Sequence, residues 1–409
     1  MIYSFDGCEV DTERFRVSRG GEVRSVEPQV FDVLVLLIRE RERVVTKERL
    51  LDEVWGDRFV SESALTSRIK AARQAIGDDG RTQRLIRTVH GRGYQFVGDV
   101  EEKAPGGTAA PAGEGGAPSP APPQEIRFCT TADGVRLAYA ASGEGPPLVK
   151  VANWLSHLDF DWESPVWRHW LVELSRRFRL VRYDERGCGL SDWDVPRFSF
   201  DDWVDDLETV IDAVGFDRVP LLGLSQGGPV AIAYAVRHPE RVSHLVLLGA
   251  FAQGRRKRAH RPEDVELAEA RVEMVRLGWG RADPTYRQMF VARFLPEATQ
   301  EEWRAFDELQ RRSTSPENAW RFLNEFGDID VSDLAPRVTV PTLILGARRE
   351  PDDVFEQSRV LASLIPGSRL VPLDSPNHLL PERDPAWRQF LEEIDRFLPT
   401  AGGDAGLAV

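Results

Sequence analysis

Residues 219–228 read Val-Pro-Leu-Leu-Gly-Leu-Ser-Gln-Gly-Gly, and they surround Ser225 with the features a nucleophile needs. An apolar run of strand length, 219–222, enters Gly223-Leu224-Ser225-Gln226-Gly227, and a helical stretch, 229–237, follows at once. A sharp strand-to-helix turn of this kind holds its serine in strained backbone geometry. A side chain at either flanking glycine would collide with the neighbouring strand or helix. The hydroxyl then projects above a sheet, at the positive end of a helix. Serine is inert near neutral pH on its own, so such a site also requires a base and a group to orient it.

The elements that must position Ser225 follow from the pattern after residue 125. Strands are predicted near 126–130, 135–141, 148–152, 179–183, 219–223, 244–250, 342–347 and 369–373, with helices near 165–176, 201–214, 226–237, 355–365 and 384–398. Strands alternating with helices predict a mostly parallel α/β sheet of eight strands. A polar and aromatic helical insertion, about 255–330 with Trp279, Trp303 and Trp320, is expected as a lid at the sheet edge. Residues 101–124 hold 6 Pro, 5 Gly and 6 Ala with no aromatic or larger aliphatic side chain, so they cannot build a core and read as a tether. The expected layout is therefore 1–99, a linker at 100–124, and 125–400.

Charge is divided unevenly. Residues 1–99 contain 17 Lys/Arg against 17 Asp/Glu, whereas 100–409 carry 36 against 49 and so all of the net charge of −13. Within the neutral part, 60–92 hold seven basic residues and three acidic ones. A basic face on a neutral domain is a nucleic-acid footprint. No run approaches the ~20 apolar residues that span a bilayer, and the first residues show no export signal. Cys8, Cys129 and Cys188 are odd in number and widely spaced, which predicts no disulfide framework or metal knuckle and a reducing cytoplasm. No cofactor is expected.

In the N-terminal part, short alternating pieces at 2–5, 14–17 and 22–26 predict a small antiparallel sheet with a Gly20-Gly21 turn. A helix from Pro28, a second capped by Thr46 and stopped by Gly56, and a third capped by Ser61 and ended by Gly77 come next. On the third, Leu65, Ile69, Ala72 and Ile76 form the buried stripe. Thr66, Lys70, Arg73 and Gln74 lie largely opposite, with Arg68 on the flank. Strands at 85–89 and 94–97 enclose the basic tip His90-Gly91-Arg92-Gly93. Helices followed by a basic hairpin predict an α+β winged helix-turn-helix.

The segments 44–56, 60–65 and 87–96 (the last reading Arg-Thr-Val-His-Gly-Arg-Gly-Tyr-Gln-Phe) resemble the OmpR/PhoB-type DNA-binding effector domain. That resemblance implies that Ser67, Arg68 and Lys70 sit on the helix inserted in the major groove of double-stranded DNA. It also implies that Thr88, His90 and Arg92 sit on the wing. His90 stands where many relatives have arginine, and the phospho-receiver that usually accompanies this domain is absent.

The serine turn, together with Arg182-Tyr-Asp-Glu-Arg-Gly-Cys-Gly-Leu-Ser191, resembles α/β-hydrolases of the esterase, lactonase and haloperoxidase-like branch over 126–398. In that family's order of Ser, acid and His, the base follows the last strand, which points to His378 in the loop after 369–373. The other histidines (His90, His157, His169, His238, His244 and His260) lie at less suitable positions. The acid should follow strand seven, where Glu350, Asp352 and Asp353 are available. The family's Asp-x-x-Val-Pro is not kept, and counting back from Val354-Phe355 favours Glu350. Oxyanion donors are expected from the backbone of Gln226 and from about Trp154, where Ala152-Asn153 replaces the usual His-Gly. Trp154, Trp162, Trp167 and Trp170 crowd the following segment, and some of them are candidates for an apolar acyl pocket, the last two equally for ordinary core or helix-face packing.

Together these readings predict a cytoplasmic, DNA-binding transcription regulator whose hydrolase-fold domain senses and hydrolyses a small apolar ester, lactone or thioester. Ligand control would pass through domain docking or a homodimer. The alternatives are a receptor without turnover and an enzyme whose winged helix makes only protein contacts.

Overall fold

The computed structural model describes residues 2–12, 16–20, 22–24, 26, 28–41, 43–55, 62–78, 80–89, 91–103, 124–259, 261–279, 281, 283, 285–350 and 354–399. They fall into two compact units divided between residues 117 and 118. Of the sequence expectations, Gly56, Ser61, His90, Asp352, Asp353 and most of the tether lie outside the described residues.

The N-terminal unit begins with β1 (Ile2–Phe5), β2 (Cys8–Asp11), β3 (Arg16–Arg19) and β4 (Glu22–Arg24). Helix α1 (Pro28–Arg39), the short β5 (Val45–Thr46), α2 (Lys47–Trp55) and α3 (Glu62–Ile76) follow. The wing hairpin is β6 (Ile86–Val89) and β7 (Gly93–Phe96), and β8 (Glu101–Lys103) closes the unit. One sheet runs β4-β3-β2-β1-β8 and the other β5-β7-β6. Strand β2 was missed in the sequence, although its signal was present. Asp6 and Gly7 both have positive φ, +43° and +71°, which is the two-residue hairpin that Asp-Gly favours. Strand β8 pairs with Ile2–Ser4 and carries the sheet past residue 99. It was illegible because its residues are polar and its partner lies at the far end of the domain.

Packing of the helices follows their apolar stripes. Leu65, Ile69, Ala72 and Ile76 of α3 are buried against Leu34, Leu37 and Ile38 of α1 and Phe96 of β7 in a single core. Thr46 accepts a hydrogen bond from the Arg49 backbone (3.2 Å), the cap expected for α2.

The C-terminal unit has β9 (Glu125–Thr130), β10 (Arg136–Ser142), β11 (Pro147–Val151), α4 (Arg168–Arg177) and β12 (Arg179–Tyr183). Then come α5 (Phe200–Val214), β13 (Val219–Leu224), α6 (Gly227–Arg237) and β14 (Val242–Leu248). The insertion comprises α7 (Pro262–Gly278), α8 (Thr285–Phe294), α9 (Gln300–Ser313) and α10 (Pro316–Asp328). The chain returns through β15 (Thr342–Ala347), α11 (Val354–Leu364), β16 (Arg369–Leu373) and α12 (Pro385–Phe397).

The eight strands lie in the order β16-β15-β14-β13-β11-β12-β10-β9. Pairings from β12 through β11, β13, β14 and β15 to β16 are parallel, and only those of β10 are antiparallel. Every residue of β13 and β15 is buried, as strands covered by helices on both faces must be. Parallel order brings the C-terminal ends of β11, β13, β14, β15 and β16 to one edge, and the loops leaving those ends build the site.

Candidate active site and DNA interface

Ser225 leaves β13 with φ +53°, a left-handed conformation costly for a residue with a Cβ. The turn is pinned on both sides. The Ser225 backbone donates to the Leu248 carbonyl at the end of β14 (2.9 Å), and the Ser225 carbonyl accepts from Gly228 (3.0 Å). The flanking glycines are required by close approach. A Cβ on Gly223 would stand 2.8 Å from Gly228 Cα, and one on Gly227 would stand 2.7 Å from the Ala152 carbonyl. These are the collisions anticipated from the motif, one with the helix and one with the neighbouring strand.

His378 lies in the loop after β16. Its Nδ1 is hydrogen-bonded to Glu350 Oε1, and both side chains are almost wholly enclosed. Its Nε2 has no hydrogen-bond partner among the described residues. The loop is held by a small polar lattice. Ser375 donates to Asp384 (2.5 Å), while Asn377 donates through its backbone to Ser375 (2.9 Å) and through its amide to Asp384 (3.0 Å). The insertion contributes as well, since the Phe294 carbonyl at the end of α8 accepts from the His378 backbone (2.9 Å). Gly249, at φ +56°, lies directly against the imidazole, and a Cβ there would be 2.8 Å from Cε1 and 3.0 Å from Nδ1. Ser225, Gln226, Trp154, Gly249, Glu350 and His378 border one cavity of about 90 Å³. Among the described residues Glu350 is the carboxylate beside the ring, while Asp352 and Asp353 lie outside them.

Gln226 is buried at the N-terminus of α6, so its backbone N–H belongs to the positive end of that helix. Trp154 is buried too, stacked on Trp279 (5.2 Å) and edge-on to Phe290 and Phe326. The unusual Ala-Asn preceding it has a partner below the sheet edge: Lys150 Nζ donates to Asn153 Oδ1 (2.5 Å), and Asn153 in turn donates to the Trp154 carbonyl (3.4 Å). Burial pushes Lys150 down to about 8, with Asp161 opposing and Arg182 assisting. The remaining tryptophans divide. Trp167 borders a small side cavity next to Ser225. Trp170 packs on Trp387 and Phe390, and Trp162 donates to Gln124, so these two are framework.

The segment after β12 is also framework. The buried Asp184 carboxylate accepts from the backbones of Leu158 (3.1 Å) and Leu190 (2.9 Å), and Arg186 binds Asp206 and Asp133. Residues not anticipated from sequence are Gly249, Phe294 and a row of arginines at the cavity, Arg255, Arg258 and Arg293. The run Gly254-Arg-Arg-Lys-Arg258, in the segment that leaves β14 beside the serine, was the available signal.

In the N-terminal unit, Thr66, Ser67 and Lys70 are exposed on α3 and Arg68 is half-buried, the disposition needed of a surface-reading helix. Arg92 is exposed at the wing. Arg73 departs from the expected exposed face: it is only 8% exposed. Its guanidinium donates to the Ile86 carbonyl (2.7 and 3.1 Å) and to Thr88 Oγ1 (2.9 Å). Arg73 and Thr88 thus tie α3 to the wing, because the hairpin covers the flank of α3 that helical periodicity alone leaves open. The buried Asp78, also missed, accepts from the backbones of Arg84, Leu85 and Ile86 (2.9–3.0 Å) and anchors the start of the wing. Gly93 has its own reason, since a Cβ there would be 2.0 Å from the Val45 carbonyl.

Comparison with known proteins agrees with both halves. Residues 21–96 match the family described as transcriptional regulatory protein, C terminal. Over 72 residues the chain is 40% identical to the transcriptional regulator HilA of Salmonella typhi, covering 18% of this chain and only 13% of that protein. It is 29% identical over 258 residues to the AB hydrolase superfamily protein YisY of Bacillus subtilis, covering 61% of this chain and 91% of that one. An esterase structure from Exiguobacterium antarcticum superposes with a TM-score of 0.55 at 25% identity, covering 66% of this chain and 98% of the esterase. Among the described residues no helix is long and apolar enough to cross a membrane. With residues 160–385 matching the alpha/beta hydrolase fold, the chain belongs to the α/β-hydrolase family and carries an OmpR/PhoB-type DNA-binding domain ahead of it.

Proposed function

We propose that this protein is a transcription regulator whose hydrolase-fold unit binds and hydrolyses a small, largely apolar ester, lactone or thioester. The observation that carries the reading is the left-handed Ser225 sharing one cavity with a His378–Glu350 pair. In the reaction, Ser225 Oγ attacks the acyl carbon while His378 Nε2 takes its proton. Charge on the carbonyl oxygen is met by the Gln226 backbone N–H and by a donor near Trp154. The intermediate collapses, the leaving alkoxide or thiolate receives the proton from His378, and an acyl-serine remains. His378 then deprotonates a water that attacks the acyl-serine, releasing the acid and restoring Ser225. Glu350, bound to Nδ1, orients the ring and stabilises the imidazolium.

Double-stranded DNA is the partner of the N-terminal unit. Lys70, Arg68 and Arg92 supply phosphate and base-edge contacts, and Arg73 positions the wing. The test is labelling of the full-length protein by a fluorophosphonate together with turnover of 4-nitrophenyl esters, both abolished in Ser225→Ala. A folded wild-type protein that neither labels nor turns over esters, yet binds an apolar ligand saturably, would replace the enzyme by a receptor.

A further inference from the structure

Strand β11 lies inside the sheet, between β12 and β13, yet its fourth residue is a lysine. Lys150 stands opposite Leu222 of β13 and is only 8% exposed. Withdrawing an ammonium group from water is costly, and methionine would fill similar space without that cost. What the lysine adds is a charge and a donor. Among the described residues its side chain makes one hydrogen bond, to Asn153 Oδ1 (2.5 Å), and its Nζ lies 4.9 Å from the centre of the Trp167 ring. The buried carboxylates near it are engaged elsewhere, Asp161 with Arg182 (2.8 Å) and Asp184 with the backbones of Leu158 and Leu190.

Asn153 is buried in the loop that leaves β11, and its amide donates to the Trp154 carbonyl (3.4 Å). It borders the small side cavity next to Ser225, whereas Lys150 borders neither that cavity nor the larger one. The same loop presses on the serine turn, since a Cβ on Gly227 would be 2.7 Å from the Ala152 carbonyl. A donor near Trp154 must keep a fixed distance from the Gln226 backbone N–H if both are to meet one oxygen. The Trp154 ring is held by Trp279, Phe290 and Phe326, and its backbone is tied to β11 through Asn153 and Lys150.

We propose that Lys150 is a positioning residue for hydrolysis: through Asn153 it holds the backbone at Trp154 where a donor meets the charge developing on the substrate carbonyl oxygen. This rests on the serine-hydrolase reading and adds to it a residue that acts at one remove from the reacting atoms.

The test is steady-state hydrolysis of 4-nitrophenyl butyrate by full-length Lys150→Met, Asn153→Ala and the double variant, with fluorophosphonate labelling and a thermal melt of each. Losing an oxyanion donor outright costs ~10²- to 10³-fold, so a displaced one should lower kcat about 10- to 100-fold with KM within about twofold. Because the lysine acts through the asparagine, the double variant should be no slower than the slower single variant. A residue that only stabilised the fold would lower Tm and leave kcat in place. Should Lys150→Met lose its folded melting transition, Asn153→Ala severs the same link with the lysine still present, and a wild-type kcat there sinks the proposal.

In a protein that labels at Ser225, three results overturn the positioning role and leave the hydrolase standing. They are a wild-type kcat in folded Lys150→Met, a rise in KM alone, and single-variant losses that multiply in the double variant. A wild-type protein that neither labels nor turns over the ester ends the hydrolase reading, and this role with it.

Discussion

Gly249→Ala probes whether the fold places His378 by contact with the end of β14. Two costs follow from the structure. The backbone at φ +56° is left-handed, which costs alanine about 1–2 kcal/mol. In a domain of this size each kcal/mol lowers Tm by about 2–4 °C. The second cost falls on catalysis. The new Cβ would lie 2.8 Å from His378 Cε1, whereas carbon atoms rest at ~3.5 Å or more, so the ring must retreat by roughly 0.7 Å. A displacement of about 1 Å at a reacting group can cost ~10²-fold, so kcat/KM for a 4-nitrophenyl ester should fall roughly 10- to 100-fold. Gly367→Ala is the control. That residue has φ +68° with open space where the Cβ would stand, so it should lose the same few degrees and no activity. Steady-state kinetics and thermal melts on both variants decide the matter. Wild-type kcat/KM in Gly249→Ala, or an equal loss in Gly367→Ala, would refute placement of His378 by this contact.

Glu350→Gln should lower kcat by about 10³- to 10⁴-fold while ester KM changes little, because the amide cannot stabilise the imidazolium; a wild-type kcat would move the acid to Asp352 or Asp353. Burial holds the Glu185 carboxyl protonated, its pKa pushed up to about 8 from 4.5. The stability this supplies is complete below the unfolded-chain value and is lost as pH rises toward 8. Glu185→Gln should therefore flatten the decline of Tm between those pH values, and an unchanged slope would count against it. Arg73→Gln should destabilise the N-terminal unit by about 1.5–3 kcal/mol through its lost hydrogen bonds to Ile86 and Thr88, read as an earlier melting transition. Lys70→Glu should leave that transition in place but weaken binding to promoter DNA and reduce its salt dependence by about one ion; undiminished affinity would remove Lys70 from the interface.

What could be determined from the amino-acid sequence was what depends on near neighbours. The serine turn was legible because Gly223, Ser225 and Gly227 must satisfy one sharp bend within five residues. The central strands β13 and β15 were legible because buried parallel strands are continuously apolar. The wing announced itself through a short basic tip between two strands, and the buried stripe of α3 through its period. Tertiary structure decided whatever depends on segments distant in the chain. Helical period placed Arg73 on the open face, but a hairpin more than ten residues later covers that flank and takes its guanidinium. Glu350 and His378 lie 28 residues apart, and their pairing depends on β15 and β16 being adjacent in the sheet. Gly249 reads as an ordinary glycine after a strand until the last loop brings an imidazole against it. The arginines at the cavity were least visible of all, because Arg255 and Arg258 come from the loop after β14 and Arg293 from α8, and no local pattern records that they border one cavity.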